Sequence, residues 1–268
     1  QPARCYGLYQ LGMIAPGRQA DFVILDNVTD LNVVDVYHCG KKIIKDEKME
    51  VKPCPPHLKN TVHVSGFSEE RLKLKHSGEK AHVIQMLEKQ IVTKHIIEEV
   101  PCAEKDGEKY FESNEEYQKI AVIERHKNTG KMGVGIVKGY GIRGGAIASS
   151  VSHDSHNIIV VGDNDHDMAL AVKEMIRTQG GYTLVCNGEI YGTLPLPVMG
   201  LMSDAGYESV NEALARMIPK AHEMGVKDGF DPFITLSFMA LPVIPEIRIT
   251  PRGIYLVNED RMLRTPFS

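Results

Sequence analysis

The sequence predicts an α+β fold in two pieces, and three observations lead to this. Short runs rich in apolar and β-branched residues fill much of the first 145 positions. Apolar residues at helical spacing follow in the second half. Between the pieces stand Pro53, Pro55 and Pro56, and proline removes backbone donors and favours extended chain. We therefore place a linker at residues 51–60, between pieces at 1–50 and 61–268.

Composition narrows the class of protein. The chain has 268 residues, of which 43% are hydrophobic and 25% charged, as expected of a soluble globular protein with a sizeable core. A formal net charge of -4 and an aromatic content of 6% argue against nucleic acid as the main partner. No apolar run approaches the roughly 18 residues that a membrane span requires.

The cysteines and the first residue suggest the setting of the chain. Five scattered cysteines without a C-x-x-C pair favour a reduced, cytoplasmic protein over a disulfide or zinc module. The sequence begins at Gln1 in the middle of a pattern, so we expect it to be a piece of a longer polypeptide.

Strands are predicted along the first 145 residues. A short apolar strand is expected at 20–26, and a hairpin around Gly40. The mixed charges between residues 103 and 116 predict a solvated hairpin tip. Four further strands are predicted at 81–86, 91–100, 118–125 and 132–137.

The second half combines a buried strand with helices. Residues 158–162 are apolar throughout, which predicts a strand buried on both faces. The next helix begins with Asp163 or Asn164 as its N-cap and ends at Gly180. Further on we expect a hairpin at 182–191, a helix at 207–224 that is broken or bent at Pro219, and a closing strand at 254–257.

A cluster of polar residues at 152–157 is the first candidate site. His153 and His156 stand three apart, and a helical turn would present both to one metal ion. Asp154 could orient an imidazole or act as a general base. The alternative is a self-satisfied polar network that caps the following strand.

Two other clusters have plainer explanations. Three carboxylates at residues 163–167 are explained by a helix N-terminus, where negative charge is favourable. They do not match a calcium loop, because its glycine and closing glutamate are missing. Glu124, Arg125 and His126 end a strand, where a surface ion pair is favoured over a catalytic role. None of the eleven histidines forms an H-x-H pair, so a catalytic metal would need scattered ligands.

Several stretches resemble a known family. Residues 122–126, 144–150 and 152–158, with LPLPVMGLMS at 194–203 and DPFITLSFMALPVIP at 231–245, resemble the C-terminal domain of bacterial adenine deaminases. Residues 12–23, GMIAPGRQADFV, resemble the segment by which amidohydrolases return from their barrel to a small β-sandwich.

The resemblance implies more than the residues themselves do. Residues 1–50 would be the C-terminal part of the β-sandwich, and 61–268 a layered α/β domain with mixed or antiparallel sheets and flanking helices. The whole enzyme would hydrolyse adenine to hypoxanthine and ammonia in purine salvage, using manganese or iron in a barrel. That barrel would precede Gln1 and hold the metal ligands, so no residue here is assigned as one and the isolated chain is expected to be inactive.

The resemblance also implies partners and roles. The domain would pack against its own N-terminal barrel and form a homo-oligomer. His153, Asp154 and His156 would contact the adenine, the surroundings of the metal or a gating loop. Two alternatives remain open at this point: a non-catalytic dimerisation or ligand-binding module, and an independent metal hydrolase centred on His153 and His156.

Overall fold

The computed structural model describes residues 2–43 and 53–267 of the chain. They form two compact units, Gln1–Pro53 and Cys54–Ser268. Residues 51 and 52 of the predicted linker lie outside the described ranges, and its later part contains a short 3-10 helix, Pro56–Leu58. The boundaries at 1–50 and 61–268 stay predictions.

The first unit is built on a small antiparallel sheet. Its strands are ordered β1-β2-β3, and β2 and β3 form the hairpin predicted around Gly40. Residues 44 and 45 of that predicted hairpin lie outside the described ranges. The elements of the unit are helix α1 (Pro2–Cys5) and strands β1 (Phe22–Leu25), β2 (Val33–His38) and β3 (Lys41–Ile43).

The second unit is built on a sheet of eight strands. Its order is β13-β12-β10-β11-β8-β9-β4-β5. Every pair of neighbours is antiparallel except β4 and β9, which are parallel, so the sheet is mixed. The strands are β4 (Ala81–Met86), β5 (Thr93–Glu98), β8 (Tyr117–Ile123), β9 (Met132–Lys138), β10 (Gly145–Ser149), β11 (Ile158–Gly162), β12 (Gly181–Cys186) and β13 (Glu189–Pro195).

Smaller elements complete the second unit. A two-stranded hairpin stands where charged residues predicted a solvated tip, and a three-stranded sheet lies near the C-terminal end. These elements are β6 (Cys102–Lys105), β7 (Glu108–Phe111), β14 (Ile247–Thr250), β15 (Gly253–Leu256), β16 (Arg261–Leu263), a second 3-10 helix (Glu69–Leu72), a third (Val257–Glu259), and helices α2 (Asp165–Thr178), α3 (Tyr207–Glu223) and α4 (Ile234–Met239).

The large sheet lies between two apolar layers. Helix α2 packs on one face, and α3, α4 and the β14–β16 sheet pack on the other. Strand β11 shows why both layers form: Ile158 and Val160 belong to the α2 side, whereas Ile159 and Val161 belong to the opposite side. The α+β prediction is confirmed, as is the strand at 158–162 buried on both faces.

Two details differ from the expectations. The long helix runs without interruption through Pro219, so it is not broken there, and the alternative of a bend stays a prediction. Strand β10 was not predicted, because Gly145, Ala146 and Ala148 have low strand propensity. The sheet requires small residues there: a Cβ at Gly145 would lie 2.1 Å from the Val185 carbonyl oxygen.

Among the described residues, no helix has both the length and the apolar character needed to cross a membrane.

Candidate functional site

The polar cluster lies on the connection between two central strands. β10 and β11 pair in antiparallel register, with Ser149 opposite Ile159, and residues 150–157 join them. Residues 153–155 form a turn, and His156 has a left-handed φ of 48°. We call residues 153–156 the histidine turn. The expectation that a helical turn presents the two imidazoles is therefore wrong.

His153 is held against helix α4. Its backbone N–H donates to the Ser237 carbonyl oxygen at 3.0 Å. Its ring stacks on Phe238, with 5.3 Å between the ring centroids. The side chain keeps 41% of its surface exposed. His153 is thus fixed in place while one edge of its ring faces solvent.

His156 stands beside it in a more enclosed position. The two imidazole centroids are 5.5 Å apart. The Ser152 N–H donates to Nδ1 of His156 at 3.2 Å, which places the proton of the neutral ring on Nε2. Burial lowers the pKa of His156, and the nearby His153 and Arg125 lower it further. His156 is therefore a neutral imidazole at pH 7, with Nε2–H as its donor.

Asp154 takes a different position from the two histidines. Its side chain is 84% exposed, and its nearer oxygen lies 3.8 Å from Nδ1 of His153. This distance is too long for a hydrogen bond, so Asp154 does not orient His153 in this conformation. The structure brings the two rings together and leaves the carboxylate pointing into solvent.

The histidine turn does not fit a metal ion. Nδ1 of His156 already accepts a backbone N–H, and the Asp154 carboxylate stands apart from the ring of His153. In the described part of the second unit, no three His, Cys, Asp or Glu ligand atoms come close enough together to hold an ion. The geometry thus disfavours an independent metal hydrolase centred on His153 and His156.

The buried Arg125 holds the histidine turn in place through hydrogen bonds. The residue is 1% exposed, yet within the described ranges no carboxylate forms an ion pair with it. The guanidinium donates to the carbonyl oxygens of Thr61 at 3.2 Å and Met199 at 2.9 Å, and Nε donates to the carbonyl of His156. Burial lowers its pKa to about 10, so it remains a cation at pH 7.

The neighbouring Glu124 does not pair with Arg125, so the predicted surface ion pair is wrong. Its carboxylate accepts the N–H groups of His126, Lys127 and Thr129. Burial raises the pKa of Glu124, but these hydrogen bonds outweigh that effect and bring it to about 2. The charge of Arg125 is therefore solvated by backbone carbonyls and by the Thr61 hydroxyl, which lies 3.4 Å from Nη1.

Sequence reasoning missed the role of Arg125. The guanidinium connects residues near positions 61, 156 and 199, which no local spacing could bring together. Gly200 makes room for it: a Cβ there would lie 2.8 Å from Nη1 of Arg125. The sequence offered one local signal for Arg125, an arginine at the end of a strand. Such an arginine more often lies on the surface of a protein, so this signal did not predict a buried side chain.

The acidic run at 163–167 caps helix α2, as its composition suggested. The Asn164 side chain accepts the Asp167 N–H at 2.8 Å, which makes it the N-cap. The Asp163 carboxylate accepts the N–H of Gly145 at 3.0 Å, and Asp165 pairs with Lys119. These residues serve the helix N-terminus and the start of β10.

Residues 90–261 match the family model described as the adenine deaminase C-terminal domain. The chain belongs to this family. The matched region contains the histidine turn, Arg125 and most of the eight-stranded sheet, so the resemblance seen in the sequence is confirmed.

Relatives of this family are similar along nearly all of the chain. An adenine deaminase of Desulfitobacterium hafniense (strain Y51) is 50% identical over 262 residues, covering 98% of this chain and 45% of the relative. Adenine deaminases of Clostridium acetobutylicum and of Nitratidesulfovibrio vulgaris (strain DP4) are 43% and 42% identical, covering 97% and 96% of this chain and 46% and 45% of themselves. The chain therefore spans slightly under half the length of these relatives.

Proposed function

We propose that this chain is the C-terminal part of an adenine deaminase that hydrolyses adenine to hypoxanthine and ammonia. The observation that carries the proposal is the 50% identity, along 98% of the chain, to a protein named adenine deaminase. Because the chain spans 45% of that relative, the remaining part supplies the rest of the active site in this proposal.

The histidine turn is the part of this chain that we assign to the substrate side of the enzyme. A neutral imidazole with a free Nε2–H donates well to a ring nitrogen of a purine. Among the residues that the structure describes, no acceptor bonds to Nε2 of His156, so it has that form, and the partly exposed His153 ring stands 5.5 Å away. We therefore assign both to positioning the base or a gating loop. Asp154, exposed on the same turn, is the third residue that could reach such a ligand.

In this proposal the metal ion is bound outside this chain, in the N-terminal barrel. The family resemblance implies manganese or iron, which would activate the attacking water. The histidine turn does not fit a metal ion, which supports a location in the N-terminal barrel. This chain then contributes orientation and packing to the reaction.

The proposal is tested on the whole enzyme. We expect His153→Ala and His156→Ala to reduce kcat/KM for adenine by about tenfold or more, because each removes a positioned hydrogen-bonding group, and to leave the metal content unchanged. His166→Ala is the matched control, since His166 is exposed and pairs with Glu69. Wild-type turnover in both turn variants would remove the turn from the site.

A second measurement addresses the chain as a piece of the enzyme. We expect the isolated 268-residue chain to release no ammonia from adenine when manganese or iron is supplied. Turnover by the isolated chain would contradict the assignment of the metal to the barrel. Full turnover by the rest of the enzyme without this piece would favour a non-catalytic module.

We extend the proposal to a homo-oligomer that works in cytoplasmic purine salvage. All five cysteines are free, as is usual for proteins of a reducing compartment. Sedimentation of the whole enzyme would measure its oligomeric state.

A further inference from the structure

We propose that Asp21, His38 and Cys39 form a binding site for a transition-metal dication of the zinc type. The three residues meet at one corner of the three-stranded sheet in the first unit. The proposed deaminase function does not use any of them, and the site is measured by binding to this chain, so the two proposals can fail separately.

The register of the sheet brings the ligands together. Phe22 pairs with Tyr37, which places the preceding Asp21 opposite His38. Oδ1 of Asp21 lies 3.1 Å from Nδ1 of His38. Sγ of Cys39 lies 3.6 Å from Nε2 of the same ring. One ligand atom of each residue lies within 4.8 Å of the other two.

The two short distances run to different nitrogens of the His38 ring, and one ion binds through only one of them. Ligand atoms at about 2.0–2.3 Å from zinc are roughly 3.3–3.8 Å from one another, so the exposed side chains must rotate to bring Sγ, one ring nitrogen and one carboxylate oxygen around the ion. Water would fill the fourth position. Each of the three residues is exposed, so an ion can enter from solvent.

The β2–β3 turn fixes the position of Cys39 beside the other two proposed ligands. Cys39 and Gly40 are the two residues of the β2–β3 turn, with φ of 50° and 74°. The Cys39 N–H donates to Oδ1 of Asp21 at 2.7 Å, and the Gly40 N–H donates to the Ala20 carbonyl at 2.9 Å. The bonds therefore fix the turn against the start of β1.

Cysteine is an unusual choice at this position. Two-residue turns with positive φ at both residues favour Asn-Gly or Asp-Gly. A left-handed conformation costs most other residues about 1 kcal/mol or more. Cysteine at this position places a thiol beside an imidazole and a carboxylate.

The chemistry of the donors selects the kind of ion. A thiolate, an imidazole and a carboxylate together suit Zn²⁺ or Co²⁺, whereas Mg²⁺ and Ca²⁺ prefer oxygen ligands alone.

The test is a Co²⁺ titration of the reduced 268-residue chain. We expect one equivalent to produce a thiolate-to-cobalt charge-transfer band, and Zn²⁺ to abolish it. Cys39→Asn, which fits the left-handed turn, should remove the band while the fold is retained by circular dichroism. His38→Gln and Asp21→Asn should weaken binding by about tenfold or more. Cys102→Ser is the control, since Cys102 is also exposed but lies on β6.

Two results would overturn the site. One is a parent chain that gives no thiolate band at saturating Co²⁺. The other is a band that survives in folded Cys39→Asn or disappears in Cys102→Ser, because either would place the thiolate elsewhere.

Discussion

At the scale of single residues, Arg125 decides the shape of the candidate site. A buried guanidinium without a carboxylate partner is costly unless every donor finds an acceptor. Here the acceptors are the carbonyls of Thr61, His156 and Met199, together with the Thr61 hydroxyl. The cation therefore joins the histidine turn to two other segments, and each of those carbonyls depends on it in return.

Arg125→Met should destabilise the second unit by about 3 kcal/mol, because buried carbonyls lose their donor and each loss costs about 1–3 kcal/mol. Arg143→Met is the matched control: Arg143 pairs with Glu115 on the surface, and such pairs contribute about 0–1 kcal/mol. Urea unfolding measures both. A loss below about 1 kcal/mol for Arg125→Met would show that water replaces the guanidinium at little cost.

His156 gives the site a pH dependence with a defined sign. Its pKa is lowered in the folded chain, so the unfolded chain binds the proton more readily. The stability it contributes is therefore present above the unfolded pKa of about 6.5 and is lost as the pH falls below it. Protonation also removes the acceptor of the Ser152 N–H.

His156→Asn should lose less stability between pH 7 and pH 5 than the parent chain does, and asparagine tolerates the left-handed φ of 48° at this position. In a chain that keeps His156, Arg125→Met should raise the pKa of His156, because the substitution removes a nearby positive charge. NMR titration of the imidazole protons measures that shift. An equal pH slope in the parent and His156→Asn would show that other groups cause the dependence.

At the scale of elements, the loop after β13 is shaped to receive Arg125. Gly200 has a left-handed φ of 70°, and its Cα faces the guanidinium. A side chain there would therefore be strained by the backbone and would also clash. Gly130 has nearly the same φ, 68°, but a Cβ added to it would meet no other atom within 4 Å.

The two glycines separate backbone strain from crowding. Gly130→Ala should cost about 1 kcal/mol, from the left-handed backbone alone. Gly200→Ala should cost about 2–4 kcal/mol, because overpacking adds about 1–3 kcal/mol to the same strain. Thermal unfolding of both variants gives the comparison, and equal losses would show that Arg125 moves aside freely.

The elements also show what the sequence could predict. Strand β11 and the N-cap Asn164 were predictable because a continuous apolar run and an amide before a helix are local signals. Strand β10 was not, since its small residues are required by neighbours such as Val185, which lie far away along the chain. Arg125 was missed for the same reason: its acceptors come from distant segments.

At the scale of the whole molecule, the layers explain why the histidine turn is a stable platform. The turn joins β10 and β11, whose residues are all buried. Helix α2 covers one side of these strands, and α4 on the other side provides the Phe238 ring that His153 stacks on. The fold thus supports one exposed turn from both faces of its central strands.

The same sheet places its earliest strands at one end. β4 and β5 join the other six strands through the parallel pairing of Ile84 with Val137 and Gln85 with Lys138. β4 and β5 are synthesised before β9, so the apolar side chains of Val83 and Ile84 lack that neighbouring strand until residues 132–138 have emerged. A chain truncated before residue 132 would lack β9, so this hairpin would have no strand to connect it to the rest of the sheet and would expose an unpaired edge that promotes aggregation.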